Sequence, residues 1–192
     1  MLTSINPLGE RARGNSYLVV IAMFTAASVI GGATTGLLLG AVGALLSPTD
    51  STALLLAAAA CFAAATLDLS GRSVPSGRRQ VDEDWLTRYR SWVYAVGFGW
   101  QLGTGVVTIV TSAATYCLLV LLLLQGSIPA AVGIGLVFGL VCALPVLTGR
   151  TADTPARLRT LAASLERRAR TAARATGAVL AVIGIVLTGT AV

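Results

Sequence analysis

From Trp92 to Leu124 the chain runs for 33 residues (92–124) without a charged side chain. As one helix, rising about 1.5 Å per residue, this run would reach roughly 50 Å, while the hydrocarbon core of a bilayer is about 30 Å thick. It must therefore tilt, kink or fold back. Gly97, Gly99, Gly103 and Gly105 place the weak point near its start, because closely spaced glycines loosen a helix. Val106 to Leu124 is then expected to be a firm span. Gln101, Thr104, Thr108, Thr111, Ser112 and Thr115 recur at steps that put them on one face. Such a stripe serves hydrogen bonding to backbone or to a neighbouring helix. At a broken helix it also offers a polar path or a small-molecule site.

The rest of the composition fits the same environment. Of 192 residues, 55% are hydrophobic and 11% charged, with a mean hydropathy of +0.81. The expectation is one integral membrane domain over 1–192, an all-α polytopic transmembrane bundle. All 14 basic residues are arginine, and they sit in short segments beside apolar runs. The net charge of +6 therefore reads as membrane orientation and contact with anionic lipid headgroups, not as nucleic-acid binding. Arginine without lysine suggests a GC-rich bacterial genome, hence the bacterial plasma membrane. The absence of histidine removes the commonest general base, metal ligand and haem ligand. No acid–base set clusters in sequence, so no catalytic residue, cofactor or metal site is expected. Cys61, Cys117 and Cys142 lie in apolar runs with no CxxC pair and read as small packing residues.

In chain order, Arg11 and Arg13 precede the apolar run Tyr17 to Leu46, which is too long for a signal-peptide core and reads as an uncleaved first span. Gly32, Gly36, Gly40 and Gly43 give it a groove for a close neighbour, and Thr25, Ser28 and Thr35 a hydroxyl stripe. After the turn at Ser47–Asp50, Thr52 to Leu69 is the second span. Asp68 near its end is expected at the interface, close to Arg72. The loop 70–91 is basic. Its Asp82-Glu83-Asp84 start, a pairing of Asp84 with Arg88, and the aromatics Trp85, Tyr89 and Trp92 beside Leu86 suggest an amphipathic interfacial helix. Pro129 to Thr148 is a further span, with Gly135 and Gly139 four apart. Thr154-Pro155 starts a second basic amphipathic helix. There Leu158, Leu161, Leu165, Ala169 and Ala172 make the apolar stripe. Arg157, Arg159, Arg167, Arg168, Arg170 and Arg174 are placed to dock on lipid or on a partner protein. Gly177 to Val192 is the last span.

A shift of 78 residues aligns 34–73 with 112–151, with eight of forty pairs identical, including Gly71-Arg72 on Gly149-Arg150. Each copy runs helix, turn, helix, arginine loop. The positive-inside rule then chooses the topology. If 92–124 crosses once there are five spans, every arginine is cytoplasmic, and so is the N-terminus; residues 92–103 would be interfacial or re-entrant. The alternative of six spans puts the last arginine loop outside.

The run Tyr94-Ala95-Val96-Gly97-Phe98-Gly99-Trp100, followed by Gln101-Leu102-Gly103-Thr104-Gly105, resembles the cytochrome c biogenesis and thiol–disulfide transmembrane family of the CcdA/DsbD type. Phe24 to Leu46 would match that family's first such helix. The resemblance implies six spans and thiol–disulfide electron transfer. Neither stretch carries the family's Pro-Cys motif, since Gly103-Thr104-Gly105 stands where the second would be. Thiol exchange needs two thiols that meet, so the resemblance implies a related scaffold whose redox centre is lost.

Three functions are compatible with these residues. The first is a non-enzymatic scaffold or accessory subunit with a membrane-protein partner or self-association, because no ionisable side chain lies inside any apolar run, whereas coupled transport usually places some there. The alternative is a small transporter or exporter of a neutral or small solute, built on two glycine-broken helices, 17–46 and 92–124. The third is a thiol-redox membrane protein using Cys61 and Cys142, which fall on corresponding helices.

Overall fold

A computed structural model describes residues 5–46, 49–71, 74, 85–105, 112–151 and 154–191. These are helical, and among the described residues there is no strand. The helices are α1 (Pro7–Ala12), α2 (Tyr17–Leu46), α3 (Asp50–Ser70), α4 (Trp85–Arg88), α5 (Ser91–Thr104), α6 (Ala114–Leu124), α7 (Ile128–Thr148) and α8 (Pro155–Ala191). Four of them, α2, α3, α7 and α8, are long and apolar enough to cross a membrane.

Their surfaces are inverted relative to a water-soluble bundle. Leu38 is 66% exposed and Leu45 86%, whereas Gly32, Gly36, Ser28 and Thr35 are buried. An apolar exterior over a small, hydroxyl-bearing interior is what lipid selects, because apolar burial no longer drives helix association and close packing with interhelical hydrogen bonds does. Ser28 Oγ donates to the Gly139 carbonyl at 2.7 Å, and Thr35 Oγ1 donates to the Thr104 carbonyl at 3.2 Å.

The helices form two packed groups. In the first, α2 lies between α5 and α7. Ser28, Gly32, Gly36 and Gly40 meet Gly139, Gly135, Ala131 and Ile128 in turn, so α7 runs antiparallel to α2. Gly99 meets Phe24 and Gly103 meets Ser28, so α5 runs parallel to α2. Farther along α2, Gly43 meets Leu123 near the end of α6. Hence α5 and α6 follow α2 in the same direction, one after the other. In the second group, α3 packs on α8 and α6. Asp68 bonds to Ser112 and Ala113, and Cys61 touches Cys117, so α3 is antiparallel to α6. Gly177 meets Asp68 and Gly184 meets Phe62, so α8 is antiparallel to α3.

Several expectations change. The central stretch does not break at Gly97, Gly99 or Gly103, since α5 is continuous through all three. Their missing side chains serve close approach, to the Trp85 ring, the Phe24 carbonyl and the Ser28 carbonyl respectively. The break comes at Gly105, in the left-handed region with φ of 68°, which side chains disfavour. Val106 to Leu124 is not a firm span either. Its helix begins only at Ala114, and 106–111 lie outside the described residues. Residues 92–103, expected to be interfacial or re-entrant, run lengthwise along α2.

Of the expected interfacial helix, the described residues include α4. Trp85 is partly buried against Phe98, with ring centroids 5.9 Å apart, and its ring also meets Tyr89 at 5.3 Å, while Trp92 belongs to α5 and is about half exposed. Residues 75–84, with Asp84 and its pairing to Arg88, lie outside the described residues. The second basic segment is not a separate helix. It continues into the last apolar run as the single α8, with no proline to interrupt it.

Candidate functional site

The break in the central stretch lies deep in the bundle. Gly105 sits against the Phe138 ring, halfway along α7, and Thr104 lies beside Gly31, halfway along α2. Thr115, in the first turn of α6, comes back to Gly105. The first backbone N–H groups of α6 therefore lie inside the protein, where a partner is obligatory.

Asp68 supplies it. Its side chain is 5% exposed. Oδ1 accepts from the Ala113 N–H at 2.8 Å, and Oδ2 accepts from Ser112 Oγ at 2.6 Å. Ser112 Oγ in turn accepts from the Ala114 N–H at 3.2 Å. A carboxylate at a helix N-terminus is stabilised by the helix dipole, by about 0.3–1 kcal/mol and up to about 2 where burial removes screening. Asp68, expected near Arg72, turns toward α6 and accepts from Ser112 and Ala113. Arg72 lies outside the described residues.

A carboxylate has about four acceptor positions, and described residues use two of Asp68's. Asp68 also lines a half-open cleft of about 590 Å³ between α3, α6 and α8. Ser70, Ser112 and Thr176 add hydroxyls, Ala169, Ala172 and Ala173 form a small-residue floor, and Arg174 brings a guanidinium to the same space. The cleft lining therefore includes one acidic and one basic residue together with hydroxyls.

The polar stripe is not one face of one helix. Gln101 and Thr104 belong to α5, where Thr104 Oγ1 donates back to the Gln101 carbonyl at 2.8 Å. Ser112 and Thr115 belong to the start of α6, and Thr108 and Thr111 lie outside the described residues. Of the described members, Ser112 alone lines the cleft. Gly32, Gly36, Gly40, Gly135 and Gly139 lie at the α2–α7 contact, and Gly43 lies against α6. Arg157, Arg159, Arg167, Arg168 and Arg174 are exposed on α8, and the side chain of Arg170 lies outside the described set.

Two features escape a reading of the chain alone. Cys61 and Cys117, on α3 and α6, are buried with their sulfurs 3.6 Å apart. Cys142 lies on α7, in the other group of helices, so the pairing of Cys61 with Cys142 is replaced by Cys61 with Cys117. At the far end of the first group, Glu10 is fully buried. It accepts from Tyr94 Oη at 2.6 Å and Asn15 Nδ2 at 3.0 Å, and pairs with Arg13 at 2.6 Å. The signal for each was faint: one cysteine per helix, and one acid beside two arginines. Among the described residues no three His, Cys, Asp or Glu side chains cluster as a metal site would require. No protein-family model, curated protein or solved structure matches the chain.

Proposed function

We propose that this is a non-enzymatic, multi-pass membrane protein that moves a small solute of zero net charge carrying both an ammonium-like and a carboxylate-like group. The observation that carries the reading is the buried Asp68 carboxylate at the N-terminus of half-helix α6, opening on a cleft shared with Arg174. An ionisable side chain inside a membrane bundle marks a solute or ion pathway by default, and discontinuous helices are where transporters build such sites. A zwitterion satisfies both charges of the cleft at once, and each charge would otherwise face a ligand without its partner.

The topology proposed with it has five spans, α5 and α6 together forming the third. The directions of α2, α3, α5–α6, α7 and α8 alternate along the chain, which supports this count. The N-terminus and the arginine segments are placed in the cytoplasm of a bacterial cell by the positive-inside rule.

The test is uptake into proteoliposomes of radiolabelled amino acids against size-matched polyols and singly charged analogues. Uptake of a zwitterion above empty vesicles is expected, with a loss of about tenfold or more in Asp68→Asn and in Arg174→Gln, as for one lost charge contact. No zwitterion uptake, or variants that transport like the parent, would defeat the proposal.

One observation favours the scaffold or accessory-subunit reading instead. Among the described residues every buried side-chain polar atom already has a hydrogen-bond partner, as in a bundle made only to be packed. A stable partner co-purifying in mild detergent, together with absent uptake, would favour it.

A further inference from the structure

We propose that Cys61 and Cys117 are a redox-operated cross-link that ties α3 to α6 and fixes the Asp68 cap in place. Both thiols are buried, at 0% and 3% exposure, and their sulfurs are 3.6 Å apart. A disulfide needs about 2.05 Å between sulfurs, so the two atoms close roughly 1.5 Å between helices already in contact. The buried residues clustered with them, Ala64, Ala65, Ala113 and Leu180, are all apolar.

The position of the pair gives the bond its consequence. Cys61 precedes Asp68 by seven residues on α3, and Cys117 follows Ala113 by four on α6. Each cysteine is thus on the same helix face, within two turns, as the group that makes the cap. Bonded, the two helices cannot separate, and Asp68 stays on the Ala113 N–H. Reduced, the cap can open. The bond therefore sets whether the cleft behind Asp68 is rigid or mobile.

The oxidant is a small neutral peroxide, because both thiols are closed to bulky or charged reagents. One thiol sulfur attacks the peroxide O–O bond, giving a sulfenic acid and one water. The second thiol then displaces that hydroxyl, forming the S–S bond and a second water. Two thiols lose two electrons, the peroxide gains them, and both thiol protons leave in the waters. The inference stands apart from solute transport, since bond formation is read chemically.

The test uses the full chain in membranes. It is treated with hydrogen peroxide, quenched with catalase, denatured, and alkylated with a polyethylene-glycol maleimide. Untreated protein carries three adducts, one per cysteine. Treated protein is expected to carry one, on Cys142, with a cross-linked peptide containing Cys61 and Cys117. Cys142→Ser should fall from two adducts to none, and Cys117→Ser should keep two. Three adducts after treatment, a cross-link through Cys142, or oxygen gained on either cysteine in place of the bond would each overturn the proposal.

Discussion

Asp68 Oδ1 accepts a 2.8 Å hydrogen bond from the backbone N–H of Ala113, so a side chain of α3 closes the first turn of α6 across 45 residues of sequence. The half-helix has no side-chain cap of its own at Ala113. Its start is held from outside, which makes the junction a place where tertiary contact and helix formation are one event.

Replacing Asp68 with Ala should therefore cost about 1–3 kcal/mol, the penalty for leaving a buried donor without a partner. Asp68→Asn keeps an acceptor and should cost less. Thermal unfolding in detergent gives the order, and amide exchange over 114–117 localises it. Equal stability for Ala and Asn, or unchanged exchange, would mean that α6 does not depend on this cap.

The α2–α7 contact should reject side chains at some glycines and accept them at others. A Cβ at Gly32 would overlap the Gly135 carbonyl, and one at Gly36 the Ala131 carbonyl, while Gly133 has nothing within 4 Å. Gly32→Ala should lose about 1–3 kcal/mol through overpacking. Gly133→Ala should be neutral or gain up to about 1 kcal/mol, because alanine loses less entropy in a helix. Unfolding midpoints of the two variants decide this, and a Gly32→Ala as stable as the parent would contradict the packing.

Tyr94 donates to the fully buried Glu10 at 2.6 Å and receives Asn15 Nδ2 at 3.1 Å. Tyr94→Phe removes both bonds and leaves the ring in place. A loss of about 1.5–3 kcal/mol is expected, the range for hydrogen bonds to a charged group. Faster proteolysis near α1 should accompany it, since the Glu10 cluster anchors that helix to α5. A variant indistinguishable from the parent in both assays would leave the cluster without a stabilising role.

Much of the architecture was legible because local signals set it. Tyr17 opens α2 and Thr154-Pro155 opens α8, where Thr154 Oγ1 accepts from the Arg157 N–H at 3.3 Å. The continuity of α8 was not legible. Charge changes sharply after Arg174, but helix propensity does not, so the chain changes environment without changing conformation. Nor could the sequence say which glycine breaks the central stretch. Glycine serves close approach at Gly99 and a left-handed turn at Gly105, and only the neighbours distinguish these uses. Asp68 was visible as an acid near the end of an apolar run. Its partners at Ser112 and Ala113, like that of Cys61 at Cys117, follow from tertiary packing that no local spacing encodes.

The account depends most on the central stretch crossing once, with its break and Asp68 inside the membrane. A reporter active on only one side of the membrane, fused after Val192, tests this directly. Five spans with a cytoplasmic N-terminus predict that the reporter lies outside the cell. A cytoplasmic reporter would mean that residues 92–124 cross an even number of times. The parallel run of α5 and α6 along α2, and the site built on it, would then be contradicted.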